Sequence, residues 1–186
     1  MSRKNFGAKP YSSPQPVWIL ATYDENGMPN AMNAAWGGIC GEDRVSICVD
    51  RSHKTTENIR ERKAFTVSFA TESTLVPCDY VGIVSGDKAA DKFARAGFTA
   101  TRSELVNAPI INELAVCMEC RVIEYDKETC ILKGEIVNVS VDEAALTDGK
   151  VDLAKVRPIA FDPFNNEYNL VGEVVGKAWG AGRALL

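Results

Sequence analysis

The run Asp50-Arg51-Ser52-His53-Lys54-Thr55-Thr56-Glu57-Asn58-Ile59 packs two cations, three hydroxyls and the chain's single histidine into ten residues. Side chains of these types bind anions. The apolar run Val45 to Val49 precedes it, so a strand is expected to empty into a basic turn that opens a helix. The first turn of a helix has unpaired backbone N–H groups and a partial positive charge. Arg51 and Lys54 add full charges, and Ser52, Thr55 and Thr56 add hydroxyl donors. No long glycine loop is present to wrap a polyphosphate, so a single phosphate monoester fits better. A neutral His53 can donate one hydrogen bond to such a group or cap the helix. The same residues also read as a helix capped by Ser52 or Thr55, with its cations solvated.

Two further segments suit a planar ligand that carries a phosphate. In Asn30-Ala31-Met32-Asn33-Ala34-Ala35-Trp36-Gly37-Gly38, small residues let a flat ring approach the backbone, and Trp36 can wall one side. The plain alternative is a strand end with a core tryptophan. Gly82 to Lys88, with Ser85 and Gly86, runs into Asp91-Lys92-Phe93; its plain alternative is a capped surface helix.

Other motifs lack their required context. Cys117-Met118-Glu119-Cys120 has the spacing of a redox or zinc pair, but the surrounding text reads as a strand, on which positions three apart face opposite ways. With no second pair, no metal site is expected there. Gly172 to Ala178 falls one residue short of a phosphate loop and lacks its Ser or Thr. Gly180-Ala181-Gly182 has no preceding strand and no downstream acidic residue for a dinucleotide fold. Any hydrolase triad must use His53, yet no Gly-x-Ser-x-Gly turn occurs. No catalytic acid, base or nucleophile is therefore assigned.

The elements that must hold these residues follow from turn chemistry and periodicity. Val17 to Thr22 reads as a strand, Asp24 to Gly27 as a hairpin turn, and Pro29 to about Ala35 as the return strand. Arg44 to Val49 is a third strand, about Thr55 to Arg62 a helix with Ile59 inward, and Ala64 to Ala70 a fourth strand. Leu75 to Ile83 suits a short helix; Asp87 suits an N-cap for a helix over Lys88 to Ala96, with Gly97 at its end. Ala115 to Tyr125 and Cys130 to Val141 form a long hairpin. Asp142 to Ala154 is a loop or short helix, Arg157 to Phe161 a last strand, and Val171 to Trp179 a terminal helix. Many early strands with few helices between them point to a mainly β chain, a β-barrel with peripheral helices, and not to a repeating strand–helix fold.

At 186 residues, one domain is expected over 1–186, with a helical excursion around 73–97. The net charge of −4 argues against nucleic acid or a membrane surface as partner, so an anion site must be a local basic pocket on an acidic body. No signal-peptide pattern follows Met1, and no run approaches membrane-spanning length, so the expected location is cytoplasmic, with the six cysteines reduced.

Several weak motifs occur in an informative order: Pro14-x-Pro-Val-x-x-Leu20, Asp24-x-x-Gly-x-Pro-Asn30, Asn33-Ala34-Ala35-Trp36, Arg51-x-His53-x-Thr55, Asn58-Ile59, Ser85-Gly86 and Asp91-Lys92-Phe93. Ala108-Pro109-Ile110, Glu119-Cys120, Gly134-Glu135-Ile136 and Tyr168 through Gly182 continue it. Across nearly the whole chain this resembles the flavoredoxin branch of the flavin reductase-like, FMN-binding split-barrel family. The resemblance implies a homodimer of six-stranded split barrels with one FMN per subunit near the interface. It implies that Asn33, Ala34, Ala35 and Trp36 line the isoalloxazine ring and that Arg51, Ser52, Lys54 and Thr55 hold the phosphate, with His53 beside them. Ser85, Gly86 and Lys92 fall in the matching downstream motif. Cys78-Asp79-Tyr80 stands where relatives often have Cys-Gly, so Asp79 is expected to alter that wall. The resemblance further implies a flavoprotein that takes a hydride from NADH or NADPH, or else an electron carrier served by a redox protein such as ferredoxin. Flavin chemistry resides in the cofactor, which agrees with the missing catalytic triad.

Overall fold

The computed structural model describes residues 2–186. One seven-stranded antiparallel sheet dominates, in the spatial order Pro29–Ala34, Trp18–Tyr23, Ala64–Phe69, Val116–Asp126, Ile131–Val141, Arg44–Cys48 and Gly37–Ile39. Its two edge strands, Pro29–Ala34 and Gly37–Ile39, are consecutive in the chain but do not pair with each other. The sheet thus curls towards a barrel and stays open along one seam, bridged only by Ala35 and Trp36. The architecture is the mainly β split barrel expected, with seven strands where six were implied.

The curl has local causes. The register between the two longest strands shifts at Lys133/Gly134 and again at Ile136/Asn138, and such bulges bend and twist a sheet. Gly134 lies under Phe65: a Cβ there would stand 2.5 Å from the phenyl Cζ, so only glycine lets Phe65 fill the barrel. Leu20, Val45, Ile47, Ile59, Phe65, Val67 and Leu132 form that interior. The opposite face of the Trp18–Tyr23 strand packs Ile19 and Ala21 beneath Cys78, Val81, Phe93 and Phe98. The strand is buried on both faces because helices cover its outer side. Cys120 joins the barrel interior, and Cys117 is buried three residues away along the same strand.

The helix Lys54–Arg62 starts and ends as its sequence suggests, but its N-cap is His53, whose side chain makes no capping hydrogen bond. The expected Leu75–Ile83 helix is present with those bounds. Three expectations need correction. The helix over Lys88 to Ala96 shrinks to one turn, Lys92–Arg95, preceded by Asp91 and not Asp87. The preceding chain is committed to turns in which Lys88 and Ala89 N–H both bond to the Ser85 carbonyl, whereas Gly97 does adopt a left-handed φ of +76°. The strand Ile159–Asp162 is not the last, because it pairs in a hairpin with Glu167–Leu170, Phe161 facing Tyr168. Val171 to Trp179 is not helical. Gly172 and Gly176, with β-branched Val171, Val174 and Val175, disfavour a helix, and Val174, Val175 and Trp179 bury almost nothing that would offset it. No helix among the described residues is long and apolar enough to cross a membrane.

Candidate functional site

Two cavities meet at the open seam. The larger, about 380 Å³, is lined by Asn33, Ala34, Ala35 and Trp36 from the seam, Asp79 and Gly82 from the Leu75–Ile83 helix, and Phe161 and Tyr168 from the late hairpin. The smaller, about 260 Å³, is lined by Lys54, Thr55, Val84, Ser85, Gly86 and Lys92. Both share Met32, Asn33, His53, Gly82 and Ile83, so they form one cleft with His53 at the waist. The helix reaches the seam because residue 82 is glycine: a Cβ would sit 2.8 Å from that of Asn33.

At the larger end the walls are aromatic. Trp36 remains 43% exposed and meets Phe161 edge-on, ring centroids 6.2 Å apart. The Tyr168 hydroxyl donates to Asp79 Oδ1 at 2.8 Å and accepts from Asn33 Nδ2 at 3.4 Å. Burial, then Asp79, pushes the Tyr168 phenol up to about 12.

The smaller end is built from donors. Lys92 is buried, and its ammonium donates to the carbonyls of Val84 at 2.9 Å and Val81 at 3.2 Å, at the C-terminal end of the Leu75–Ile83 helix. That interaction suits a helix C-terminus. An ammonium has three protons, so one is left for the cavity. Burial lowers the Lys92 pKa to about 8. Helix geometry leaves the N–H groups of Lys54 and Thr55 without an intrahelical carbonyl. Gly86 packs against Asn30 and Lys54, which brings the Ser85 turn to the start of the helix.

The basic turn itself divides. His53, Lys54 and Thr55 line the cleft, whereas Arg51 and Ser52 line neither cavity. The Ser52 hydroxyl and N–H both bond to Asp50 Oδ1, at 2.7 and 2.8 Å. The Thr55 hydroxyl accepts from Asn30 Nδ2 at 2.7 Å, and the Thr56 hydroxyl donates to the Asp50 carbonyl at 2.7 Å. These hydroxyls therefore hold the turn together. The Lys54 ammonium lies 2.9 Å from Glu25 and 3.0 Å from Glu57; the hydrogen bond to Glu25 is the main reason its pKa is raised.

Sequence reasoning placed Gly82 in the Gly82–Lys88 segment but did not assign Phe161 or a role for Tyr168 to the site. The Asn165-Asn166 turn, with Asn166 at a left-handed φ of 58°, is the signal that marks the late hairpin. No comparable local signal marks the Asp79–Tyr168 contact. Among the described residues, no group of three or more His, Cys, Asp or Glu side chains is placed to hold a metal.

Comparison with known proteins fits this geometry. Residues 11–157 match the family described as "Flavin reductase like domain". The structure is similar to the flavoredoxin of Desulfovibrio vulgaris (Miyazaki F), at 38% identity and a TM-score of 0.93, covering 97% of this chain and 100% of that one. It is similar to a flavoredoxin from Methanosarcina acetivorans, at 30% identity and a TM-score of 0.88, covering 100% of this chain and 99% of that one. The fold is also that of nitrilotriacetate monooxygenase component B from Bacillus cereus, at 20% identity and a TM-score of 0.78, covering 95% and 99% of the two chains.

Proposed function

We propose that this chain, which belongs to the flavin reductase-like family, binds one FMN along its two-ended cleft and works as an NAD(P)H-dependent flavin oxidoreductase. One observation carries the reading: a donor-rich end built on buried Lys92 is continuous with an apolar, aromatic end open at Trp36. FMN has the same two parts, a phosphate monoester and a flat ring. The spare proton of Lys92, the N–H groups of Lys54 and Thr55, and the Ser85-Gly86 turn suit the phosphate. Arg51 and Ser52 stand behind them and contribute long-range charge and a rigid turn. Asn33, Ala34 and Ala35 lie along the ring, with Trp36 as one wall. Bound FMN supplies the hydride and electron chemistry. The protein binds and orients, and His53 acts as a binding residue, not a proton donor to carbon. The half-exposed Trp36 side leaves room for the nicotinamide of NADH or NADPH, after which electrons pass to free flavin or another acceptor.

A second reading is a flavoredoxin-type electron carrier without NAD(P)H turnover. The 38% identity with a flavoredoxin over nearly all of this chain favours it. Anaerobic stopped-flow mixing of the FMN-loaded protein separates the two. Rapid bleaching by NADH or NADPH supports the reductase. Bleaching only by a reduced protein such as ferredoxin supports the carrier.

The working unit is a single domain over 1–186 and assembles as a homodimer. From Val171 the chain is irregular up to a short 3-10 helix at Ala181–Leu185, with Val174, Val175 and Trp179 almost fully exposed, Trp179 at 96%. So many apolar side chains in solvent suit burial against a second copy. Sedimentation of the full chain tests this, with a dimer expected; a fully flavinated monomer contradicts it.

A further inference from the structure

Asp79 lies within the Leu75–Ile83 helix and lines the larger cavity beside Tyr168 of the late hairpin, to which it is hydrogen-bonded. Its carboxylate there has no cationic counterpart. The cavity is lined by no Lys or Arg, and its other titratable side chains are Cys48, His53 and Tyr168. Asp79 forms no salt bridge among the described residues. The cleft's two lysines belong to the smaller end, where Lys54 is held by Glu25 and Glu57 and Lys92 by backbone carbonyls. The Tyr168 hydroxyl donates a neutral hydrogen bond and orients the carboxylate without cancelling its charge. This chain therefore places its one fixed charge at the ring end, and that charge is negative.

We infer that Asp79 is a redox-tuning residue whose carboxylate lowers the reduction potential of FMN held in this cleft, making the chain a stronger electron donor. The inference rests on the FMN reading above. Adding two electrons and one proton to the neutral ring leaves it with one negative charge. A carboxylate on the wall of a cavity of about 380 Å³ lies within about one Debye length of that charge. Repulsion at that range changes an equilibrium by about tenfold or more at the dielectric of a protein surface. The oxidised ring carries no such charge, so its binding is little affected. The carboxylate thus weakens binding of the reduced form selectively, and linkage makes that a lower potential.

The test is equilibrium reduction of the FMN-loaded protein against a reference dye, with separate dissociation constants for oxidised and reduced FMN. Asp79→Asn keeps an oxygen to accept the Tyr168 hydrogen bond and removes only the charge. It should tighten reduced FMN relative to oxidised FMN by about tenfold, which for a two-electron couple raises the potential by about 30 mV. Asp79→Gly removes the charge together with the side chain and should raise the potential by a similar amount. Tyr168→Phe removes the hydrogen bond, keeps the charge, and should leave the potential level or lower. A potential unmoved by both Asp79 variants overturns the inference. So does an equal rise in Tyr168→Phe, which would assign the effect to the hydrogen bond. A parent chain that takes up no FMN overturns the FMN reading and this one together. A loaded chain indifferent to Asp79 overturns this one alone.

Discussion

At the Lys92 end of the cleft, the polar groups are backbone N–H donors and an amine buried on two carbonyls. At the Trp36 end, the walls are Phe161, Tyr168 and a half-exposed indole, and the charge is the carboxylate of Asp79. The first end is suited to hold an anion, and its donors are groups that the fold fixes in place. The second suits a neutral flat ring and leaves one side open. The contrast separates affinity from chemistry. Groups that anchor a phosphate can be removed without touching the ring, and groups around the ring can be changed without losing the anchor. On the proposed reading FMN engages both ends, whereas riboflavin, which lacks the phosphate, engages only one. Variants at each end should therefore sort by how they treat the two ligands.

The largest effect is expected for Lys92→Met, which should weaken FMN by about 2–3 kcal/mol, the scale of a lost charge-assisted hydrogen bond. Riboflavin binding should hardly change, as measured by flavin fluorescence quenching. The pH dependence sharpens this. The buried amine has a pKa near 8 against an ordinary 10.5, so between those values the unfolded chain binds the proton and the folded chain does not. Flavin-free stability should therefore rise with pH from about 8 to 10.5 through this group. FMN affinity should fall as the amine discharges, and Lys92→Met should abolish both slopes. Next comes Trp36→Ala, expected to cost FMN and riboflavin the same, about 1–2 kcal/mol of lost ring contact. Unequal losses would break the division of the cleft. Lys54→Ala should cost FMN about 1 kcal/mol, below the usual scale for a charged partner, because Glu25 and Glu57 already share its amine. His53→Gln, at the waist, should raise the FMN dissociation constant several-fold and keep most of the single-turnover reduction rate at saturating FMN. A fall of about a thousandfold, the scale of a lost acid or base, would make His53 catalytic. Arg51→Ala is expected to have the smallest effect, within about 0.5 kcal/mol, as for an ordinary surface change.

What the sequence reveals about this site depends on distance along the chain. The Asp24–Gly27 turn, the helix after the basic run and the long hairpin are set by local residues and stand close to where periodicity places them. The seam residues Asn33 to Trp36 and the turn residues His53 to Thr55 are visible for the same reason, and the sheet brings them together. The fate of each polar group is not local. Ser52 turns to Asp50 and Lys54 to Glu25, so a turn that reads as uniformly anion-seeking spends part of its donors on itself. Lys92 reads as a surface-helix residue, but its amine is drawn under the preceding helix by two unpaired carbonyls. Asp79 and Tyr168 are 89 residues apart and meet only because the late hairpin folds over the seam. The stretch after Leu170 misleads differently: its apolar spacing resembles a helix face, but Val174, Val175 and Trp179 remain almost fully exposed, so no packing supports a helix there.

The central claim is that a phosphate-bearing flavin lies along the cleft with its phosphate at the Lys92 end. Paired titrations of the flavin-free protein with FMN and riboflavin, in parent and Lys92→Met, test it most directly. The account predicts one FMN per chain, weaker binding of riboflavin to the parent, and near-equal binding of the two ligands once Lys92 is replaced. Equal affinity of the parent for FMN and riboflavin would contradict it.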